Sequence, residues 1–266
     1  MASGTLGIIG FGNMGSAIIG GLIDSQVYMP SDIHVYDIDP AKREQAKSIG
    51  HFSHDTIGAL LEKTGTVIIA VKPKDVHGVL HELVKAKDLS LVISIAAGVT
   101  TARIEEMLKS APLVRAMPNT PCMVRAGATV ISRGKNAADS HVALAKKILG
   151  ATGYVAELPE GLMDAVTGLS GSGPAYVALM IEAMSDGGVK MGLPRAEALR
   201  LAAETVRGTA EMILAKSMHP AQLRDMVTSP GGTTIEGLAV LEKNAFKSAV
   251  MSAVEAAAKR SKELGH

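Results

Sequence analysis

The sequence predicts an α/β protein in two parts, a doubly wound sheet followed by an all-helical C-terminal region. In the first part, short aliphatic runs alternate with helical patterns, and continuous aliphatic strands between helices are typical of a parallel sheet that is covered on both faces. From residue 159 to the end, the sequence contains no convincing strand. We therefore expect two domains, residues 1–158 and residues 159–266.

The predicted elements follow from periodicity and from the glycines and prolines that interrupt it. Strands are predicted at Leu6–Gly10, Ile33–Tyr36, Thr66–Val71, Leu89–Ala96 and Leu113–Met117, and the first helices at Asn13–Asp24 and Pro40–Ser48. In the second domain, helices are predicted at Pro174–Met191, Arg195–Ala215, Ile235–Leu241 and Asn244–Leu264. Small helical domains with this much apolar surface usually bury part of it against another subunit, so we expect a homo-oligomer. Folding around a single core is the alternative.

The composition excludes several classes of protein. The formal net charge of +1 favours neither a nucleic-acid partner nor a membrane surface, and no uninterrupted apolar run reaches the ~18 residues of a membrane span. The single cysteine, Cys122, excludes an intramolecular disulfide and a Cys-rich metal site, and we expect it to be a packing residue. The N-terminus shows no secretory signal pattern, so we expect a cytoplasmic protein. We also expect no bound metal.

A glycine-rich motif predicts a dinucleotide site. Residues Gly10, Phe11, Gly12, Asn13, Met14 and Gly15 match G-x-G-x-x-G, and the motif follows an apolar strand and opens a helix. In this context, Gly10 permits the tight turn, Gly12 lets the backbone approach a pyrophosphate, and Gly15 allows close packing of helix and strand. The helix N-terminus then faces the phosphates. The alternative is a turn that is merely rich in glycine.

Asp37 ends the second predicted strand, where a carboxylate suits the ribose 2′-hydroxyl of NADH and repels the 2′-phosphate of NADPH. Lys42 and Arg43 follow closely and could offset this repulsion, although a solvated helix face is the more ordinary interpretation of both. We therefore favour NADH as the cofactor, with NADPH second.

Three further loops follow predicted strands and are marked by Gly or Pro: Val71-Lys72-Pro73, Ala96-Ala97-Gly98 and Met117–Pro121. Doubly wound folds bind ligands at the carboxyl ends of their strands, so we expect Val71, Lys72, Pro73, Ala97, Gly98 and Asn119 to contribute to the cofactor site. Taken singly, Lys72 could be a surface lysine and Asn119 could cap a turn.

A second loop, Val227–Thr234, precedes a helical pattern. Two glycines, several hydroxyl side chains and a helix start together form a cradle of backbone N–H groups for an anion. The alternative is simple capping of the helix by Ser or Thr, which needs only one hydroxyl.

Four longer segments match the motifs of one known family: Pro220–Leu241, which includes Ser229–Glu236, and Val92–Val99, Arg115–Pro121 and Gly171–Tyr176. On these segments, and over essentially its whole length, the sequence resembles the pyrroline-5-carboxylate reductase family. The resemblance implies reduction of 1-pyrroline-5-carboxylate to L-proline with NAD(P)H, the last step of proline biosynthesis. It also implies a Rossmann domain followed by a helical dimerisation domain, in a homodimer with interlocked helical domains, with a decamer as a larger assembly.

The family's substrate residues map onto the second loop. By resemblance, Ser229, Gly231, Gly232, Thr233 and Thr234 hold the substrate carboxylate, and Val227 lines the pocket. Thr234 is expected to lie beside the ring nitrogen and is our candidate catalytic residue. Hydride transfer to C=N requires positioning of the reactants rather than a metal or a covalent nucleophile. The eight histidines lie outside these motifs except His219, which we interpret as a turn residue.

Two other functions are alternatives to this one. A β-hydroxyacid dehydrogenase has a similar glycine run at its first C-terminal helix, but it places a catalytic lysine where this chain has Val177. A non-catalytic dinucleotide-binding sensor is the second alternative, and the intact loop from Ser229 to Thr234 argues against it.

Overall fold

The computed structural model describes residues 4–86 and 88–265. Its N-terminal part is built on an eight-stranded sheet with the order β3-β2-β1-β4-β5-β6-β7-β8. The strands are β1 (Leu6–Ile9), β2 (Ile33–Tyr36), β3 (Phe52–Ser53), β4 (Thr66–Ile69), β5 (Leu91–Ser94), β6 (Leu113–Met117), β7 (Gly127–Arg133) and β8 (Gly153–Glu157). The reversal of strand order on either side of β1 is the doubly wound arrangement that was predicted.

Twelve α-helices are present in the described residues. They are α1 (Asn13–Asp24), α2 (Pro40–Ser48), α3 (Ile57–Leu61), α4 (Val76–Leu83), α5 (Thr101–Glu105), α6 (Asp139–Gly150), α7 (Met163–Val166), α8 (Gly173–Lys190), α9 (Arg195–Lys216), α10 (Pro220–Met226), α11 (Thr233–Lys243) and α12 (Phe246–Gly265). A π-helical turn, Thr167–Gly171, lies between α7 and α8. None of residues 159–265 lies in a strand, which confirms the predicted change to an all-helical region.

The sheet has a core on each face because successive strand residues point to opposite sides. Ile8 of β1 belongs to the apolar cluster on one face, whereas Ile9 belongs to the cluster on the other face. Both side chains are fully buried. Burial of both faces explains why the strands read as continuous aliphatic runs instead of alternating patterns.

The predicted strands form the parallel part of the sheet, and the direction reverses only at one edge, in strands that were not predicted. Strands β1 to β6 are mutually parallel, but β7 pairs with β6 in the antiparallel direction, and β8 is parallel to β7. Residues 118–126 connect β6 to β7, and this connection is too short for the helical crossover that a parallel pair requires. The chain therefore turns back and reverses the last two strands.

By compactness, the chain divides into two units. The first takes in the residues up to Ser172 and those from Ala256 onward, and the second is Gly173–Glu255. The predicted boundary between residues 158 and 159 lies earlier in the chain than this division. Within the second unit, α8 and α9 form a hairpin in which Gly188 lies against Ala198 and Leu193. Across residues 4–86 and 88–265, none of the helices combines the length and the apolar character needed to cross a membrane.

Candidate functional site

The three glycines of the motif that joins β1 to α1 differ in their surroundings. Gly10 has φ of 107°, and a Cβ there would lie 2.6 Å from the carbonyl oxygen of Ala70. A Cβ at Gly15 would overlap the carbonyl oxygen of Gly10, so this glycine lets α1 approach the strand. A Cβ at Gly12, in contrast, would have no atom within 4 Å. The fold therefore requires Gly10 and Gly15 but leaves open space at Gly12, where a pyrophosphate would approach the backbone.

The N-terminus of α1 has features that are typical of an anion-binding site. Gly12 is the N-cap residue and offers no side-chain cap, and the first turn contains no acidic residue. The carbonyl of Gly12 accepts hydrogen bonds from the amide and the hydroxyl of Ser16, so the turn itself is held in place. In the part of the chain that the structure describes, the first amides of the helix have no side-chain partner, and together with the helix dipole they suit a phosphate group.

Asp37 is joined to the glycine-rich turn. Its Oδ2 accepts a hydrogen bond from the backbone N–H of Phe11 at 2.7 Å, and its Oδ1 accepts one from the N–H of Asp39 at 2.9 Å. Each carboxylate oxygen can accept more than one hydrogen bond, so Asp37 can still receive a ribose hydroxyl. The carboxylate thus joins the end of β2 to the turn after β1, and its contact with a ribose stays a prediction.

Arg43 is not the solvated helix-face residue expected from the sequence. Its Nη1 donates to the carbonyl oxygens of Asp37 and Ile38 at 2.9 and 3.3 Å, and its Nε lies 3.5 Å from Oδ1 of Asp55. The side chain is only 20% exposed. The guanidinium is therefore held beside Asp37, on the turn that a 2′-phosphate would approach.

The other three predicted cofactor loops lie along the same sheet edge. Strands β4, β5 and β6 are adjacent and parallel, so the segments that follow them meet at the carboxyl edge, next to the turn after β1. Gly98 has φ of 75°, a conformation that glycine adopts readily. Lys72 is exposed, and Val71 and Gly98 are half-buried.

Asn119 has partners within the chain for both of its polar side-chain atoms. Its Oδ1 accepts from the N–H of Ala128 at 2.9 Å, and its Nδ2 donates to the carbonyl of Ser170 in the π-helical turn at 3.1 Å. The side chain does not cap the turn that follows it. Asn119 therefore links the end of β6 to β7 and to the π-helical turn, and direct contact with the cofactor stays a prediction.

In the second unit, the segment between α10 and α11 forms a tight turn. Gly231 has φ of 65°, and the N–H of Gly232 donates to the carbonyl of Ser229 at 3.1 Å. A Cβ at Gly232 would overlap Oγ of Ser229 in its present rotamer. Glycine thus suits both positions of this tight turn.

Gly232, and not a serine or threonine, is the N-cap of α11, and it provides no side-chain cap. Simple capping by a hydroxyl is therefore not what the loop does. Within residues 4–86 and 88–265, the hydroxyls of Ser229, Thr233 and Thr234 make no hydrogen bond, whereas that of Thr228 donates to the carbonyl of Arg224. Thr234 is half-buried and Thr233 is exposed. The loop thus combines uncapped helix amides with available hydroxyls, which is the chemistry of a carboxylate cradle.

Two residues outside these loops have structural roles. His219 caps α10, since its Nδ1 accepts from the N–H of Ala221 at 3.2 Å, as its interpretation as a turn residue requires. Cys122 is buried at 1% exposure. Among the described residues, no group of three or more His, Cys, Asp or Glu side chains is arranged to hold a metal ion.

Two family models match separate parts of the chain. Residues 160–264 match pyrroline-5-carboxylate reductase dimerisation, and residues 5–98 match NADP oxidoreductase coenzyme F420-dependent. The second match covers β1 to β5 with the glycine-rich turn and Asp37, so it supports a pyridine-nucleotide domain at the predicted place.

Relatives are similar over almost the whole chain. A pyrroline-5-carboxylate reductase of Synechocystis is 50% identical, with 98% of each chain covered, and one of Methanosarcina acetivorans is 43% identical, with 100% of this chain and 99% of that protein covered. Among solved structures, the Coxiella burnetii pyrroline-5-carboxylate reductase has a TM-score of 0.93 at 37% identity, covering 99% of each chain. The Plasmodium falciparum pyrroline carboxylate reductase with NADP bound has a TM-score of 0.90 at 35% identity, covering 100% of each chain.

Identity at this level over the full chain, together with the two loops described above, is decisive for the family. The chain belongs to the pyrroline-5-carboxylate reductase family of NAD(P)H-dependent oxidoreductases.

Proposed function

We propose that the protein reduces the C=N bond of 1-pyrroline-5-carboxylate to give L-proline, the final step of proline biosynthesis. The observation that carries this proposal is the turn before α11, where uncapped helix amides and available hydroxyls adjoin one another in a member of this family. The substrate is a small anion with an imine nitrogen, and this loop offers partners for both groups.

In this proposal, each residue of the loop has a separate task. The backbone of Gly231, Gly232 and Thr233, with the hydroxyl of Ser229, holds the substrate carboxylate by hydrogen bonds and by the positive end of the α11 dipole. The hydroxyl of Thr234 hydrogen bonds to the ring nitrogen. Val227, 58% exposed in the single chain, lines the pocket.

When bound, the reduced nicotinamide would supply a hydride to the carbon of an imine already protonated on nitrogen, which would convert C=NH⁺ to CH–NH and oxidise the cofactor. The protein's own contribution is to bind and orient. The carboxylate cradle fixes one end of the ring, and Thr234 stabilises the nitrogen as its bonding changes. The proposed residues thus account for positioning and polarisation without requiring a strong general acid.

We further propose NADH as the preferred cofactor, with NADPH accepted. Asp37 supports NADH because its carboxylate repels a 2′-phosphate. Arg43 supports some use of NADPH because its guanidinium lies on the same turn, against the carbonyl of Asp37. The relative from Plasmodium falciparum was solved with NADP bound.

We also propose a homodimer formed through Gly173–Glu255, with a decamer as the larger assembly. The matching family model is one for dimerisation, and large apolar side chains of this unit are exposed in the single chain. They include Leu179, Met191, Leu201, Leu214, Val240 and Met251. A cytoplasmic location stays a prediction.

The direct test is oxidation of NADH and of NADPH in the presence of 1-pyrroline-5-carboxylate, with L-proline measured as the product. Formation of proline in proportion to cofactor oxidised supports the proposal. Tight NADH binding without turnover would instead support a sensor, and oxidation of 3-hydroxy acids with NAD⁺ would support a β-hydroxyacid dehydrogenase.

A further inference from the structure

Glu160 lies just after β8, outside all the loops that were assigned to the cofactor site. Its carboxylate nevertheless contacts two other elements, α5 and β6. Oε1 accepts hydrogen bonds from the backbone N–H of Thr101 at 2.7 Å and from Nη1 of Arg115 at 2.9 Å. Oε2 accepts a hydrogen bond from the hydroxyl of Thr101. Three donors from α5 and β6 thus converge on one carboxylate.

Arg115 needs this carboxylate. Its side chain is 7% exposed and lies in β6, opposite Ser94 of β5 and Ser132 of β7, which are both buried. The hydroxyl of Ser94 is fully buried and has no partner among the described residues, so it does not compensate the guanidinium. A buried cation that loses its counter-ion is strongly destabilised. The folded protein therefore depends on the ion pair between Arg115 and Glu160.

The contact with Thr101 determines the position of a cofactor loop. Thr101 is the first residue of α5 and directly follows the segment 95–100, which contains Ala97 and Gly98. The start of this loop is anchored by β5 in the sheet, and its far end is anchored by the two bonds from Thr101 to Glu160. The loop between these anchors includes Gly98 with its left-handed backbone.

We propose that Glu160 is a positioning residue for the dinucleotide: with Arg115 as its counter-ion, it holds the loop 95–100 in the conformation that binds the reduced cofactor. This inference rests on the proposed cofactor role of Ala97 and Gly98. Glu160 itself touches neither cofactor nor substrate in the proposal and acts through Thr101.

Glu160→Gln tests the charge with little change of shape. The amide oxygen can still accept from Arg115 and from the N–H of Thr101, and the amide nitrogen can donate to the Thr101 hydroxyl, so the lost feature is the negative charge. Glu157→Gln is the matched control. Glu157 lies in β8, its carboxylate accepts hydrogen bonds from Arg133 at 2.7 Å and Lys146 at 2.9 Å, and its side chain is 25% exposed against 28% for Glu160. Among the residues that the structure describes, Glu157 makes no hydrogen bond or ion pair with the loop 95–100.

The dissociation constant of NADH is measured by fluorescence titration of the full-length protein, which requires no turnover. We expect Glu160→Gln to raise this constant at least about fivefold, and Glu157→Gln to change it less than about twofold. In steady state, the KM for NADH should rise in Glu160→Gln while kcat at saturating NADH stays within about twofold of the wild-type value.

A folded Glu160→Gln protein that binds NADH as the wild type does, with only a lower melting temperature, would overturn the proposal and leave Glu160 as a structural residue. If Glu160→Gln does not fold, Thr101→Val decides the question. This variant removes one donor to Glu160 and retains the N–H, and it should raise the NADH dissociation constant in the same direction, whereas an unchanged constant would overturn the proposal. A wild-type protein that binds NADH but does not reduce 1-pyrroline-5-carboxylate would contradict the proposed function alone.

Discussion

The carboxylate of Asp37 accepts a hydrogen bond from the backbone N–H of Phe11 at 2.7 Å, and this bond joins the end of β2 to the glycine-rich turn after β1. The two residues are 26 positions apart in the chain, and Phe11 is buried at 2% exposure. We therefore assign two roles to Asp37. It reads the ribose in the proposed complex, and it holds the turn that receives the pyrophosphate.

Asp37→Ser should change both properties. Removal of the carboxylate relieves repulsion of a 2′-phosphate, so the ratio of kcat/KM for NADPH to that for NADH should rise about 10-fold, which corresponds to about 1.4 kcal/mol. Because Phe11 also loses its acceptor, the dissociation constants of both cofactors should increase. Steady-state kinetics with each cofactor measure the ratio. An unchanged ratio would mean that Asp37 does not read the ribose.

Gly12→Val should weaken cofactor binding without unfolding the protein. A Cβ at this position meets no atom within 4 Å, so the fold tolerates the side chain, but the valine would occupy the space where the pyrophosphate approaches the backbone. We expect the NADH dissociation constant to rise at least about 10-fold. Gly20→Val is the control on the same helix, since a Cβ at Gly20 also has open space. Equal NADH binding by the two variants would remove Gly12 from the cofactor site.

The second unit should mediate assembly. Met191 is 84% exposed and Leu214 is 79% exposed in the single chain, a degree of apolar exposure that a partner subunit would remove. Light scattering at micromolar concentration should give at least twice the 27.5 kDa of one chain. Leu214→Glu should shift the protein toward smaller species. A wild-type protein that runs only as a monomer at this concentration is incompatible with the proposed dimer.

Two paired histidines near the β3 edge of the sheet, His34 and His54, should make stability depend on pH. Nδ1 of His34 and Nε2 of His54 are 2.8 Å apart, which requires one ring to donate and the other to accept. Burial lowers the pKa of both histidines below the usual value, and repulsion from His54 lowers that of His34 further. The folded state therefore favours neutral rings.

The stability from this pair is present above about pH 6.5, where unfolded histidine titrates, and it is lost as the pH falls through the lower pKa of the folded protein. His54→Gln keeps a hydrogen-bonding side chain that does not titrate. Urea unfolding at about pH 7.5 and about pH 5.5 should show a smaller loss of unfolding free energy in this variant than in the wild type. The exposed His77→Gln serves as control. An equal loss in all three proteins would exclude the pair as the cause.

Much of the fold could be predicted because its signals are local. The bounds of α1, α2, β2 and β6 agree with the prediction. Gly12 precedes α1, Pro40 begins α2, and prolines flank β6, whereas β2 is a short run between two aspartates. Strand β3 was missed because it has only two residues, Phe52 and Ser53, and its pairing with β2 leaves no pattern in so short a segment. Strand β7 was also missed, although its β-branched residues Thr129, Val130 and Ile131 are a signal that could have located it.

The candidate site likewise has parts that the sequence predicts and parts that it does not. The glycine-rich turn and the loop before α11 carry their chemistry in consecutive residues, so the sequence alone identifies them. The bond between Asp37 and Phe11 spans 26 positions, and the bond between Glu160 and Thr101 spans 59. Such contacts exist only after the sheet brings distant segments together, so no local sequence pattern predicts them.

The proposed chemistry is centred on Thr234, whose hydroxyl is assigned to the substrate nitrogen. Thr234→Val keeps the β-branched shape and removes the hydroxyl. If the bond strengthens as hydride arrives, kcat should fall while NADH binding stays near the wild-type value. One such bond is worth about 1–3 kcal/mol, so the expected loss in kcat is about 5- to 150-fold. Thr233→Val is the matched control on the preceding residue of α11, and its effect on kcat should be smaller.

The most direct measurement is therefore kcat for reduction of 1-pyrroline-5-carboxylate by Thr234→Val, Thr233→Val and the wild type, with the melting temperature of each protein measured in parallel. The account predicts that Thr234→Val is folded, binds NADH and has a kcat well below that of Thr233→Val. If both variants lose thermal stability equally and turn over at the wild-type rate per folded molecule, the threonines only help to start α11. That result would contradict the assignment of Thr234 to the reaction.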